Sequence, residues 1–457
     1  MKKSLLSFSC VCITLLCFGQ TQDEITIKNI FDTELTQGKA YSMLEYITTT
    51  IGPRLSGSPG AEEAVRWGTE KMENYGFDSV WLQPVMVPRW VRGQKEIARI
   101  LKSKKNGAIE MNICALGGSI GTGPNGLTAN VVEVKSFEEL QKLGNKNISG
   151  KIVFFNRPMD PTLIKTFAAY GGAVNQRVLG ASEAAKYGAV GTIVRSMSLD
   201  IEDYPHTGVV RYDTTITKIP AVAISTLHAN LLSKLLTEDK SLQFYFETHC
   251  ELLKDVPSFN VIGELAGGEY KDEIILVGGH LDSWDLAQGA HDDGAGCVQS
   301  IEALRLLKII GYKPKRTIRA VLFMNEENGL RGGTEYARVS GLKKENHIAA
   351  IESDDGGFTP RGFSMTAKDE VKTKIKNWRN ILEPYGLYSF EDEGGGADIG
   401  PLINQGTALI GFLPDSQRYF RYHHTKEDTL DKVDKRELAL GAASITALVY
   451  LIDVYGL

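Results

Sequence analysis

The stretch Glu273–Gly296, EIILVGGHLDSWDLAQGAHDDGAG, constrains this chain more than any other. Its apolar opening, Ile274–Val277, is too short for a helix and β-branched enough for a buried strand. Gly278-Gly279 end the run, and His280 and Asp282 follow one residue apart on its C-terminal side. Open α/β sheets place their active sites there, beyond the carboxyl ends of strands. His291-Asp292-Asp293 then leads into Gly294-Ala295-Gly296, where a helix is expected to start. Imidazole and carboxylate suit a divalent metal of the zinc type. Asp282 is placed to hydrogen-bond the second ring nitrogen of His280 and fix its tautomer. The same residues also fit a polar strand end whose Asp292 or Asp293 caps the next helix.

The segments that follow narrow the choice. Thr317–Met324 reads as a strand ending in Asn325-Glu326-Glu327, and His347–Ile351 as one ending in Glu352-Ser353-Asp354-Asp355. Helices are expected between them, at Val298–Ile310 and Arg331–Val339. This β–α–β–α–β order with short loops predicts an α/β fold with a doubly wound, mostly parallel sheet. A helix at Val371–Tyr385, the loop EDEGGGADIGPL, a strand at Ala408–Phe412, Tyr422-His423-His424 and a helix at Lys435–Tyr455 complete it.

Upstream, helical spacing over Gly38–Ile51 and Gly60–Tyr75 brackets the loop GPRLSGSPG, and strands are expected at Ser79–Val87 and Glu96–Leu101. The run GGSIGTGPNG marks a linker. Beyond it, strands at Asn130–Val134, Lys151–Phe155, Val190–Val194 and Ile219–Ile224 alternate with helices at Ser136–Leu143, Gly180–Tyr187 and Leu227–Leu236. An α/β insert over 119–254 is therefore expected between two parts of the main domain, 20–118 and 255–457. Within it His206, His228 and His249 stand apart and read as structural or solvent-facing. Lacking a ligand candidate, the insert is expected to be dispensable for metal binding.

With 42% hydrophobic and 23% charged residues the chain can bury a large core, and a net charge of −5 offers no footprint for nucleic acid or an anionic membrane. Lys2-Lys3 before the apolar run Leu5–Phe18 reads as a signal peptide over 1–19, so a secreted or periplasmic protein is expected. A lipid anchor at Cys17 is disfavoured by the bulky Leu16, and no other stretch is expected to span a membrane. Three cysteines lie in the signal, leaving Cys114, Cys250 and Cys297. These form no disulfide framework, although one Cys114–Cys250 bridge stays open, and Cys297 reads as a small core residue.

Together, His280, Asp292, Glu326, Glu327, Asp354 and His424 are the inventory that a pair of divalent ions requires, with one carboxylate shared. Of two adjacent glutamates, one can bind metal while the other serves as general base. The motifs GPRLSGS, NVIGEL, VGGHLDSWDLAQGAHDDGAG, NEENGLRGG, ESDDGG, GGGADIGPL and YHHTKEDT resemble those of the co-catalytic zinc peptidases of family M28, nearest the carboxypeptidase Q (plasma glutamate carboxypeptidase) group. The resemblance covers nearly the whole chain after its first residues. It implies a zinc-exopeptidase fold, a protease-associated insert and two Zn2+ held by His280, Asp292, Glu327, Asp354 and His424. Asp292 would bridge, Glu326 would be the base and Asp282 would orient His280.

The family register His-Thr-x-x-Asp-Thr selects His424 over His423. His423 stands where related enzymes keep an oxyanion-stabilising Tyr, with Tyr422 as the other candidate. Neighbours on an extended segment point to opposite sides, so His423 and His424 are not expected to share one metal. The implied activity is hydrolysis of short peptides or dipeptides by an exported homodimer. Aminopeptidase action on longer peptides is the alternative, ahead of a glutaminyl cyclase-like or non-catalytic relative.

Overall fold

A computed structural model describes residues 20–102 and 107–457; the segment read as a signal peptide lies outside them. The main sheet has seven strands. At its centre Arg316–Phe323, Tyr270–His280, Asn346–Glu352 and Ala408–Pro414 run parallel, side by side. Arg316–Phe323 is buried along its whole length, as expected of a strand covered on both faces. Ile275 and Val277 point into a core shared with the helices Ala295–Ile309 and Lys435–Tyr455. Leu276 and Phe323 point the other way, onto Tyr336 and Ala337 of the helix Arg331–Lys343.

The sheet as a whole is mixed rather than mostly parallel. Ser79–Val91 and Glu251–Leu265 add antiparallel strands on one edge and Pro360–Thr366 on the other. The first pair is antiparallel because the chain leaves the main sheet along one strand and returns along the other. What lies between folds as a second unit around an eight-stranded sheet. Its parallel run Leu127–Val134, Ile152–Phe155, Gly191–Arg195 and Ala221–Ile224 matches the expected strands. The strand expected at Glu96–Leu101 forms as Ile97–Lys102, but in this second sheet, against Gln243–Glu247. The glycine-rich linker runs between Ile113–Ala115 and Leu127–Val134, both strands of that sheet. By sheet membership the second unit therefore reaches from Ile97 to Glu247, beginning well before residue 119.

Other differences are local. A capped helix, Gln22–Gln37, precedes the first one expected, and buries Ile27, Ile30 and Phe31 in the main core. The helix expected over Val371–Tyr385 breaks at Trp378. Lys435–Tyr455 is long and apolar enough to cross a membrane, contrary to the reading that no second stretch is. Its most apolar window is 78% buried inside the fold, which makes it a core helix. Cys114, Cys250 and Cys297 are all buried and free, so the Cys114–Cys250 bridge is not formed.

Candidate active site

Four strand ends deliver the polar residues. His280 closes Tyr270–His280, and Phe323 is its register partner on the neighbour that leads to Glu326 and Glu327. Gly278 pairs with Glu352, two residues before Asp354. Ala408–Pro414 leads through the turn Ser416–Arg421 to His423 and His424. Parallel packing thus turns residues far apart in sequence into one cluster.

Asp292 lies at its centre. Its Oδ1 is 3.1 Å from Nε2 of His280, which is also 3.1 Å from Oδ1 of Asp354. Its Oδ2 is 3.3 Å from Nε2 of His424, which is 3.2 Å from Oε2 of Glu327. Asp292 Oδ2 is buried without a hydrogen-bond partner. Two donor sets therefore share one carboxylate, one oxygen facing each. Asp293 does something else: its carboxylate accepts from the backbone N–H of His280 (3.0 Å) and of Gly296 (2.8 Å), tying strand to helix. Gly279 is required here, since a Cβ on it would come within 2.4 Å of Asp293 Oδ2.

The electrostatics are those of anions crowded out of water. Burial pushes the Glu326 carboxyl up to about 8 and raises those of Glu327 and Asp354. Burial also pushes His424 down to about 3, leaving a neutral imidazole with a free lone pair. For His280 burial acts downward, but Asp354 and Asp292 beside it outweigh burial and hold the ring well above its ordinary value. Bound cations would relieve this mutual repulsion, and the donors are of the kind that zinc accepts.

Supports reach in from most of the expected motifs. Asp282 orients His280 through its backbone carbonyl, 2.9 Å from Nδ1, while its carboxylate Oδ1 stands 4.0 Å away. That carboxylate accepts instead from the backbone N–H groups of Asn325 (2.7 Å) and Glu326 (3.1 Å), bracing the acidic pair. Arg54 of GPRLSGS, fully buried, donates to the carbonyls of Leu281 (2.6 Å), Gln288 (2.6 Å) and Gly289 (2.9 Å), shaping the loop to Asp292. Asp428 accepts from the N–H groups of His291 (2.7 Å) and Asp292 (3.1 Å). Glu352 accepts from Ala397 (2.8 Å) and Ile399 (2.9 Å) of the GGGADIGPL loop.

His423 and His424 do not point apart. His424 has φ +62°, so the segment is not extended, and the two rings stack 3.6 Å apart. Nε2 of His423 is 3.9 Å from Asp292 Oδ2, and its Nδ1 is buried without a partner. Tyr422 turns away and stacks on His291.

These positions match an existing family. The profile of Peptidase family M28 matches residues 260–449. Carboxypeptidase Q from Bos taurus is 36% identical over 416 residues, 91% of this chain and 85% of that protein. The chain belongs to peptidase family M28. A solved Peptidase M28 precursor from Shewanella amazonensis SB2B superposes with a TM-score of 0.88 at 35% identity, covering 94% of this chain and 96% of the other. BSAP, a zinc aminopeptidase from Bacillus subtilis, shares the fold at 22% identity with a TM-score of 0.64, over 90% of this chain and 94% of that one.

In this M28 peptidase the cluster opens into a cavity of about 200 Å³ between the two units. The second unit contributes Tyr170, Arg177 and Arg211 to its lining, and the main unit adds Tyr419. None of these was visible in the sequence, where they stand alone, far from any motif except YHH. His206, read as structural, is held to the site: its Nδ1 donates to the carbonyl of His423 (2.9 Å), and Nε2 lies 3.2 Å from Glu202. Next to it Thr207 N–H donates to the carbonyl of His424 (2.9 Å), and Nδ1 of His424 faces the carbonyl of Thr207 (3.3 Å). The second unit carries no ligand candidate, yet it holds the segment that carries one.

Proposed function

We propose that this M28 peptidase is an exported exopeptidase that cleaves short peptides or dipeptides using two zinc ions and Glu326. The observation that carries the reading is the shared Asp292, whose two oxygens face His280 with Asp354 and His424 with Glu327. His280, Asp292 and Asp354 would hold one ion, and Asp292, His424 and Glu327 the other. Bound there, the ions would supply Lewis acidity to the scissile carbonyl and to a shared water.

The chain's own groups do the rest. Glu326 belongs to neither donor set and lines the same cavity. It takes the proton of the attacking water and passes it to the departing amine. Cations nearby would draw its carboxyl back down from about 8, so that the base form prevails. His423, with Nδ1 free of partners, is the donor assigned to the developing oxyanion. The backbone N–H of Trp284 donates to Oε1 of Glu327 (3.1 Å), leaving Oε2 for the metal. The second unit is read as a protease-associated domain that roofs the cavity. The cavity is smaller than the roughly 300–1,000 Å³ of drug-sized sites, which favours short substrates.

The test is digestion of a dipeptide and blocked-peptide panel by the zinc-loaded full chain, with products identified by mass spectrometry. Release of terminal residues, abolished by Glu326→Gln at unchanged zinc content, is the expected result. Zinc-loaded protein that leaves every free-ended peptide intact overturns the reading, and cyclisation of an N-terminal Gln peptide would replace it.

A further inference from the structure

Glu327 and His424 would serve the second ion alone, and both are held by groups that trace back to one side chain outside every motif. Arg92 stands at the crossing between the units: the strand Ser79–Val91 of the main sheet ends just before it, and Ile97 opens the second sheet. Its side chain is 10% exposed. Every nitrogen of its guanidinium is engaged. Nε and Nη2 donate to the two carboxylate oxygens of Asp285 (2.9 and 2.6 Å), and Nη1 donates to Glu96 (3.0 Å) and to the carbonyl of Ala115 (2.7 Å).

Two arms leave this hub. The first stays in the main unit: Asp285, gripped by the fork, follows Trp284, whose backbone N–H donates to Oε1 of Glu327 (3.1 Å). The second crosses the other unit. Thr207 Oγ1 donates to the same Ala115 carbonyl (3.0 Å), and Thr207 N–H donates to the carbonyl of His424 (2.9 Å). The indole of Trp284 closes the circle, edge-on to Trp90 (6.4 Å) and to His424 (5.7 Å). Gly117 of the second unit makes room for it, since a Cβ there would lie 1.8 Å from the ring. Neither arm reaches the other ion's own ligands. His280 rests on Asp282 and Asp293, and Asp354 on Tyr419, all from the main unit.

Resting on the two-ion reading, we propose that Arg92 is a positioning residue for one metal site: through Asp285 and Thr207 it fixes Glu327 and His424 together, so that the seating of the second unit sets how tightly the second ion is held. A guanidinium fork on a carboxylate fixes direction as well as distance, which an ammonium group does not reproduce. The His280–Asp354 position stands outside this control.

The experiment measures zinc binding to the full chain by competition with a chromophoric chelator. Arg92→Lys, which keeps the charge but loses the fork, and Asp285→Asn, which keeps the shape, should each weaken one ion about 10–100-fold and leave the other within about twofold of wild type. The double variant should lose no more than the more affected single one, because both changes remove the same contact. Thr207→Val cuts the other arm without touching a charge and should weaken the same ion. In a His424→Ala background, where the second ion is already lost, Arg92→Lys should leave the remaining ion unchanged. Equal weakening of both ions overturns the proposal, as do losses that add in the double variant or affinities unchanged in all three single variants. Should Arg92→Lys fail to fold, Asp285→Asn and Thr207→Val decide by the same criteria. Wild-type protein that takes up a single zinc ion removes the two-ion reading, and the proposal with it.

Discussion

The contact between the second unit and the His424 segment makes a sharp prediction about His206. The ring is 1% exposed and donates to the His423 carbonyl at 2.9 Å. His206→Ala leaves that carbonyl without a donor in a site closed to water, at a cost of about 1–3 kcal/mol. Glu202 keeps a bond from Ser198 but loses its contact with the ring. The cost falls on the segment that presents His424, whose ligating position is then less populated. Removing an outer support of a metal ligand typically weakens metal affinity about 10–100-fold. At about 1.4 kcal/mol per tenfold that is close to the cost of the orphaned carbonyl. Zinc titration against a chromophoric chelator, on wild type and variant, should show one of two ions weakened and the other, at His280, unchanged. His206→Asn places an amide N–H where Nδ1 stood and should recover most of the loss. A folded His206→Ala protein that binds both ions within twofold of wild type would refute the reasoning. So would equal weakening at both sites.

Glu326→Gln should lower turnover about 10²–10⁴-fold without loss of zinc, because it keeps the shape but accepts no proton; near-wild-type kinetics would remove Glu326 as base. His424→Ala should release one zinc ion, whereas His423→Ala should keep both and lose on the order of 10²–10³ in kcat. Zinc loss from His423→Ala would instead make His423 the ligand, an exchange that its 3.9 Å approach to Asp292 makes worth checking by metal analysis. Far from the site, burial and a bond to Glu302 push the Glu34 carboxyl up to about 10. Its folded pKa exceeds its unfolded value of about 4.3. Its stabilising contribution is therefore full below that value and is lost as pH rises towards 10, by at most about 1.4 kcal/mol per unit. Glu34→Gln should flatten that decline, read as Tm between pH 5 and 9, and an unchanged slope would show that Glu34 does not titrate as described.

Much of this molecule was legible along the chain because the signals are local. An apolar run closed by two glycines announces a buried strand, and the residue after it, His280, falls at the strand's carboxyl end by covalent necessity. The same holds for Glu326, Glu327 and Asp354. The final helix, Lys435–Tyr455, was expected with the bounds it has, since its capping Asp434 and apolar run are contiguous. Other features were not legible because no local signal encodes them. Ile97–Lys102 has the alternation of a strand whichever sheet it joins, and only its pairing with Gln243–Glu247 places it. Extended geometry was assumed for His423-His424, but a left-handed φ at His424 reverses the outcome and stacks the rings. Asp282 was expected to act through its side chain; the turn after His280 brings its carbonyl closer.

The order of residues thus specifies which chemical groups stand at the ends of which strands, because strand, turn and helix each depend on a few neighbouring side chains. It also specifies the parallel centre of the sheet, since short β–α–β connections leave little choice. Which of those groups meet, and what surrounds them, depended on contacts between segments more than a hundred residues apart. His206 and Thr207 reach His423 and His424 across 217 positions of sequence, and Arg54 reaches Leu281 across 227. Such contacts carry no periodicity and no motif. They arise because burying the polar groups of one loop requires partners from another, and only the packed chain supplies them.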